Sequence, residues 1–246
     1  QPAGGKARSW RIRSDQALWA VLRWEALTPI DYDLKTSLVL KDPFGHIAGQ
    51  VDDLLTSDRY PVHRLWEAGE HASTYHILTP LPAIPPGRYT LHLGVYEDVT
   101  GRVYPAQPAK GGSVLAPIAE IEVTASEASP TVAPQIVLAD TRAGPDLQLL
   151  GYDLRRAQIA PGDQLLLTLY WRAINKPMAN YAVLLDLCDS QGQAVATLRS
   201  EPTNDQYPTS LWRAGEIVRD WHDLPVDAMV PSGVYALHLA VMDGDQ

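Results

Sequence analysis

Two segments of the chain carry tyrosine and tryptophan at one spacing, the residue types that stack against sugar rings. Tyr60 is followed by proline and then by Trp66, and Tyr207 is followed by proline and then by Trp212. Both rings combine a flat apolar face with a polar group, which suits a half-wet binding site. The pattern predicts a glycan-binding site formed by these four residues.

The same aromatic residues also have a structural interpretation. Ala-Gly-Glu follows each tryptophan, so the glycine can turn the chain and Glu70 or Glu216 can close the turn. Trp66 and Trp212 would then be plugs that pin a long loop over the end of a domain. Recurrence at two places favours this alternative, because large aromatic side chains are usually mostly buried.

Residues for catalysis or metal binding form no recognisable motif. The sequence has no Gly-x-Ser-x-Gly, no glycine-rich phosphate loop and no His-Glu-x-x-His. Cross-strand polar pairing on a solvated face explains His76, His92, His222 and His238 more simply than a metal site. The loop aspartates lack the motif that orders calcium ligands. We therefore predict no enzyme activity, no cofactor and no metal, with a hydrolase of unpaired carboxylates left as a further hypothesis.

Composition excludes several other classes of protein. The 246 residues carry 20 basic and 29 acidic side chains, a net charge of -9 that argues against a nucleic-acid partner. One cysteine, Cys188, excludes an internal disulfide. No apolar run approaches the ~20 residues that cross a membrane, and the first residues do not resemble a signal peptide.

The chain contains two copies of one sequence pattern. The matching strings include a Leu-x-Trp-x-Ala segment, a Leu-Trp-x-Ala-Gly-Glu segment and a Gly-x-Tyr-x-Leu-His-Leu segment, in one order and nearly one register. The paired ranges are 22–26 with 169–173, 65–70 with 211–216, and 87–93 with 233–239. Such agreement indicates an internal duplication.

Alternation of apolar and polar residues predicts strands in both copies. Leu165, Leu167, Leu169 and Trp171 follow a period of two between polar neighbours. Turn residues separate such runs at short intervals. We predict an all-β chain with two tandem immunoglobulin/fibronectin-like antiparallel β-sandwich domains, 9–123 and 147–246, joined by an Ala/Ser/Pro linker at 124–146. The second copy would lack its last strand, so we expect a longer polypeptide.

Strand parity separates core aromatics from outward ones. Trp24 and Trp171 fall on the core side. The aromatic residues on the outward side are Trp19, Tyr75, Tyr96, Tyr170 and Trp221. Tyr75 and Trp221 occupy equivalent positions and are two further candidates for glycan binding. The alternative is that these sheet faces pack against other parts of the protein.

Four strings of the second copy together resemble a known family of modules. They are Leu-Leu-Gly-Tyr-Asp-Leu at 149–154, Pro-Gly-Asp with the following strand to Trp171, Tyr-Pro-Thr-Ser-Leu-Trp-Arg-Ala-Gly-Glu at 207–216, and the final Pro-x-Gly-x-Tyr. They resemble β-sandwich modules that follow the membrane region of bacterial protein-mannosyltransferase-like glycosyltransferases and of related uncharacterised membrane-attached proteins. The first copy departs from the pattern at His63 and Arg64.

That resemblance implies an extracytoplasmic location, at the cell surface or attached to a membrane through segments outside this chain. It implies a non-catalytic accessory region that engages a glycan or lipid-linked sugar, or positions an acceptor. The alternative is a structural spacer or assembly module with no small ligand. The sequence predicts no oligomeric state.

Overall fold

The protein is built from β-strands. The computed structural model describes residues 9–56, 66–104 and 114–243, and these ranges contain no α-helix. A short 3₁₀ turn lies at Thr209–Leu211, and the turn at Pro202–Asp205 contains Thr203 and Asn204 at positive φ. Within the same ranges, no helix is long and apolar enough to cross a membrane. The predicted all-β class is confirmed.

The chain divides into two compact units, the first comprising Gln1–Leu81 with Arg88–Thr124. Its larger sheet has the order β1-β8-β6-β3-β4 with β7 beside β6, and its smaller sheet pairs β2 with β5. The strands are β1 Ser9–Arg13, β2 Leu18–Glu25, β3 Leu34–Lys41, β4 Ile47–Leu54, β5 His71–Leu78, β6 Gly87–Glu97, β7 Val103–Tyr104 and β8 Ala116–Thr124.

The second unit comprises Pro82–Gly87 with Ala125–Gln246. One sheet has the order β14-β11-β10-β9 and the other has the order β13-β12-β15. The strands are β9 Ile136–Ala143, β10 Leu147–Leu154, β11 Gln164–Ala173, β12 Tyr181–Cys188, β13 Ala194–Ser200, β14 Ile217–Pro225 and β15 Ala236–Asp243.

In each unit the two sheets share an apolar core. In the second unit, Leu169 and Trp171 of β11 belong to one buried cluster with Val183 and Leu185 of β12. In the first unit, residues of β2, β3, β5 and β6 form the corresponding cluster around Trp66. The fold is therefore of the β-sandwich type, and each fully buried large apolar side chain stabilises it by about 1.5–3 kcal/mol.

The predicted alternation matches the exposure of β2 and of most of β11, but Tyr170 of β11 was predicted to face outward and is only 2% exposed. In β2, Leu18 is buried whereas Trp19, Val21 and Arg23 are exposed. In β11, Leu165, Leu167, Leu169 and Trp171 are all buried, as predicted. Successive side chains of a strand point to opposite faces, so one buried face imposes this period of two.

The segment predicted as a linker is only partly a connection. Its residues 136–143 form strand β9, which pairs with β10 and belongs to the second unit. Leu138 packs against the core of that unit, so burial of an apolar side chain decides the assignment. Among the described residues β15 pairs only with β12, whereas the equivalent strand β6 lies between β3 and β8.

Equivalent hairpin turns connect β3 to β4 and β12 to β13. The Oδ1 atom of Asp42 accepts hydrogen bonds from the N–H groups two and four residues on, at 2.9 and 2.8 Å. Asp189 accepts the equivalent pair at 2.8 and 2.9 Å. Gly45 and Gly192 follow with φ of +98° and +78°, a conformation that glycine adopts without steric cost.

Candidate functional site

The loop tryptophans are plugs in the interior of their units. Trp66 is 2% exposed, Trp212 is 0% exposed and Tyr207 is 9% exposed. A sugar can stack only on an open ring face, so these three residues do not form the predicted glycan site. Tyr60, the fourth member of the predicted site, lies outside the described residues.

Hydrogen bonds hold the plug of the second unit from within. Trp212 Nε1 donates to the carbonyl oxygen of Tyr207 at 2.9 Å, and the Tyr207 N–H donates to Thr203 Oγ1 at 2.9 Å. The Tyr207 hydroxyl donates to Glu216 Oε2 at 3.1 Å. Burial and the charge of Glu216 raise the pKa of Tyr207, so the hydroxyl keeps the proton that it donates.

The turn after each tryptophan has the same geometry in both units. Gly69 and Gly215 have φ of +83° and +82°. Glu70 Oε2 accepts from the N–H three residues earlier at 3.1 Å, and Glu216 Oε2 does the same at 2.8 Å. The two glutamates therefore close equivalent turns, as the structural interpretation predicts.

The exposed aromatic surface of the first unit lies on the outer side of β2 and β5. Trp19 is 76% exposed and Tyr75 is 73% exposed, with Val21 at 57% and Ile77 at 49%. Trp19 is directly opposite Ile77 in the sheet, and Val21 is directly opposite Tyr75. Opposed residues on one face have Cβ atoms about 4.5–5.5 Å apart, so the four side chains form one patch, the β2–β5 face.

Polar side chains continue the β2–β5 face along the same two strands. Arg23 is opposite Ser73, and Glu25 is opposite His71. All four have the outward parity, and all except the half-buried Ser73 are exposed. The surface is thus apolar at one end and rich in hydrogen-bonding groups at the other, a combination found in small-molecule sites.

The equivalent face of the second unit is more enclosed. Trp221 is half-buried, and the guanidinium of Arg219 lies 6.0 Å from its ring centre and 4.8 Å from that of Tyr170. The Tyr170 hydroxyl donates to Asp153 Oδ2 at 2.6 Å. Burial, together with Asp153, raises the pKa of Tyr170 to about 12. Trp221 is therefore a less open platform than its sequence equivalent Tyr75.

A buried hydrogen-bond chain connects tryptophan, hydroxyl, histidine and carboxylate in the first unit. Trp24 Nε1 donates to Thr74 Oγ1 at 2.8 Å, and His76 Nε2 lies 2.8 Å from the same oxygen. His76 Nδ1 lies 2.7 Å from Asp53 Oδ2. The side chain of His76 is 0% exposed, so the chain satisfies polar groups that would otherwise be costly in the core.

The second unit contains an equivalent hydrogen-bond chain, in which the carboxylate and the hydroxyl have exchanged places on the two histidine nitrogens. Trp171 Nε1 donates to Asp220 Oδ2 at 3.0 Å, and His222 Nε2 lies 2.7 Å from that oxygen. His222 Nδ1 lies 3.0 Å from Ser200 Oγ. Asp220 also accepts from the Thr203 N–H at 2.7 Å, which ties the chain to the plug loop.

The order of hydroxyl, imidazole and carboxylate in these chains is also that of a nucleophilic triad. Thr74 is 5% exposed and accepts the Trp24 N–H, so its oxygen is closed to a substrate. Asp220 and His222 are 0% and 2% exposed. Both imidazoles are therefore closed to solvent, whereas the Asp53 side chain is 42% exposed and Ser200 is half-buried.

One further histidine–carboxylate pair lies at the β3–β4 turn, where His46 Nδ1 is 2.7 Å from Asp42 Oδ2. Within the described ranges, no group of three or more His, Cys, Asp or Glu residues could hold a metal ion. His92 bonds through Nδ1 to the carbonyl oxygen of Thr90, and burial lowers its pKa. Cys188 Sγ lies 4.0 Å from His238 Nδ1.

His76 and His222 were predicted to lie on a solvated face, but both are buried, because carboxylate and hydroxyl partners satisfy their ring nitrogens in the interior. Those partners were not predicted from the sequence. Asp53 and Ser200 precede these histidines by more than twenty residues, and a hydroxyl replaces a carboxylate between the copies. The recurrence of a histidine at equivalent positions in the two copies was the sequence feature that could have indicated a shared buried network. Trp19 was assigned to the outward side, but its neighbours Val21 and Ile77 were not assigned to a site.

Comparison with known proteins identifies no family for this chain. No family model matches it, and no curated protein matches it. Among solved structures, it is similar to a chain described as "Crystal structure of calcium binding domain CBD12 of CALX1.1", at 9% sequence identity and a TM-score of 0.24. The match covers 88% of this chain and 71% of that one, and likeness at this level carries no argument about function.

Proposed function

We propose that this chain is a non-catalytic recognition region that binds a glycan on the β2–β5 face. The observation that carries the proposal is the exposure of Trp19 and Tyr75 at diagonal positions on one sheet surface. Aromatic rings stack on the apolar face of a sugar, and Arg23, Glu25 and His71 offer hydrogen bonds to hydroxyl groups beyond the patch.

The paired turns, plugs and histidine chains support a further part of the proposal. We propose that the two units are immunoglobulin-like sandwiches that arose by duplication of one domain. Equivalent hydrogen bonds around Gly69 and Gly215, and around Asp42 and Asp189, recur in both units. The resemblance of the second copy supports an extracytoplasmic location in a larger, membrane-attached protein, with glycosyltransferase association as a proposal.

A titration with linear hexasaccharides of mannose, glucose and N-acetylglucosamine tests glycan binding, with tryptophan emission as the signal. We expect saturable binding of one sugar, weakened about tenfold in Trp19→Ala and in Tyr75→Ala, because a stacked ring contributes about 1 kcal/mol or more. Trp10→Ala is the matched control, since Trp10 is 52% exposed outside the face.

The alternative function is a structural spacer, favoured by the burial of Trp66 and Trp212 in both units. In that case the β2–β5 face is covered by another protein surface. No sugar in the panel would bind, and Trp19→Ala with Tyr75→Ala would instead reduce self-association in sedimentation experiments. That result would overturn the glycan proposal.

A further inference from the structure

An apolar cavity of about 600 Å³ lies in the second unit. Leu165 of β11, Leu187 of β12 and Val226 after β14 form buried parts of its wall, at 7%, 8% and 6% exposure. Leu237 of β15 lies beside them. Its volume is within the usual range of small-ligand pockets, about 300–1,000 Å³.

Among the residues that the structure describes, no charged side chain lines this apolar cavity. Two loops complete its wall, one between β10 and β11 and the other between β14 and β15. The polar side chains in the wall are Gln158, Ser232 and Tyr235, and the Tyr235 hydroxyl already donates to the carbonyl oxygen of Pro231 at 2.6 Å. An aliphatic chain fits such a lining, whereas an ion would be left without a partner.

A second cavity of about 320 Å³ is lined by the same β10–β11 loop and differs in chemistry. Arg155, Arg156 and Asp163 line it, and Ile159 lines both cavities. Asp163 Oδ2 accepts a hydrogen bond from the Ala160 N–H at 3.2 Å. Both arginines are exposed, and neither forms an ion pair with a described residue. Because two arginines and only one aspartate line this cavity, its charge favours a ligand with a negatively charged group.

We propose that the two cavities form one site for a single-chain anionic amphiphile, such as an alkyl phosphate or a fatty acid. The aliphatic tail occupies the apolar cavity, and the phosphate or carboxylate accepts hydrogen bonds from Arg155 and Arg156. Guanidinium groups bind these anions in a bidentate geometry. This site is separate from the β2–β5 face and does not depend on glycan binding.

Isothermal titration of the purified chain with decyl phosphate, below its micelle concentration, tests the site. We expect one saturable site, with affinity about tenfold above that for decanol, which lacks the anion. Inorganic phosphate, which lacks the tail, should not bind measurably. Decyltrimethylammonium, with the opposite charge, should bind more weakly than decanol. The affinity for decyl phosphate should also fall with added salt.

Variants separate the tail from the head group. Arg155→Gln with Arg156→Gln should reduce decyl phosphate affinity to that of decanol and leave decanol binding unchanged. The control is Arg142→Gln with Arg172→Gln, which removes two other exposed arginines of the same unit. Ala157→Phe should fill the apolar cavity and abolish binding of both ligands, whereas Ala139→Phe on β9 should not.

Thermal unfolding tests whether each variant is folded. We expect all of them to fold, because the substituted positions are exposed. Equal affinity for decyl phosphate and decanol would overturn the role of the arginines. Binding of inorganic phosphate as tight as that of decyl phosphate would show a free-anion site instead. Full affinity in folded Ala157→Phe would overturn the assignment of the tail to the cavity.

Discussion

Trp212 shows how one aromatic side chain can hold a loop in place. It is fully buried, its ring stacks near Tyr207 at 6.4 Å between centroids, and its N–H is satisfied by a backbone carbonyl. The loop between β13 and β14 also contains Thr203, Asn204 and Asp205 at positive φ, an uncommon conformation for residues other than glycine. The plug and its hydrogen bonds compensate for that strain.

Removal of the plug should destabilise the second unit strongly. We expect Trp212→Ala to lower the free energy of unfolding by about 3–5 kcal/mol, because it leaves a large cavity. Trp19→Ala should change it by less than about 0.5 kcal/mol, since Trp19 is exposed. Urea unfolding followed by circular dichroism measures both values, and equal costs would contradict the plug assignment.

Tyr170 should make stability depend on pH in the alkaline range. Its pKa in the folded state is about 12, above the ordinary value of 10.0. The unfolded chain therefore loses this proton first, and the stability that is present below pH 10 is lost as pH rises towards 12. Between pH 8 and pH 11 we expect this group to account for about 1 kcal/mol.

Comparison with Tyr170→Phe isolates that contribution. Other groups titrate in the same range, so the measured quantity is the drop in unfolding free energy between the two pH values. The drop should be smaller in the variant by about 1 kcal/mol. An identical drop in both proteins would show that the hydroxyl does not titrate as described.

At the scale of elements, the turn before β5 and the turn before β14 are built alike. Gly69 and Gly215 have φ near +80°, and a Cβ atom at either position would have open space around it. Replacement by alanine therefore costs only backbone strain. This separates the conformational requirement for glycine from any packing effect.

We expect Gly69→Ala and Gly215→Ala each to destabilise their unit by about 1 kcal/mol. Gly233→Ala is the control, since Gly233 is not at positive φ and its added Cβ would make ordinary contacts at 3.5 Å or more. Thermal unfolding of the three variants measures the costs. A cost for Gly233→Ala as large as for the other two would argue against backbone strain as the cause.

At the scale of the whole molecule, the two histidine hydrogen-bond chains satisfy the ring nitrogens of a buried imidazole in two different ways. Each places one carboxylate and one hydroxyl on the two nitrogens of a buried imidazole, in opposite order. The exchange keeps the number of carboxylates per histidine constant. It is consistent with two copies of a domain that diverged while they retained a buried network.

That exchange can be reproduced in the first unit. Thr74→Asp alone places two carboxylates on His76, and Asp53→Ser alone leaves only hydroxyl groups there. The double variant restores the arrangement of the second unit, so its loss of stability should be smaller than the sum of the single losses by about 1–3 kcal/mol. Urea unfolding of the unmodified protein, the two single variants and the double variant completes this double-mutant cycle. If the losses of unfolding free energy were additive, the two positions would not be coupled.

The sequence by itself determined the strand pattern, the repeated turns and the core side of β2 and β11. Those features depend on alternation and on local turn residues, which are visible within a few positions. It also indicated that β2 and β5 have an outward side. The linker was predicted over 124–146 because that range is rich in Ala, Ser and Pro. Its residues 136–143 instead form β9, since Leu138 packs against the core of the second unit.

Only the tertiary structure decided which aromatic residues are accessible. Trp66 and Trp212 resemble binding residues in sequence but are buried, whereas Trp19 and Tyr75 are open. Exposure depends on which distant elements cover a side chain, as Ala26 and Leu34 pack with Trp66 in one buried cluster. Asp53 and Ser200 also reach the buried histidines through long-range pairing, whereas Thr74 and Asp220 lie two residues before them on the same strands.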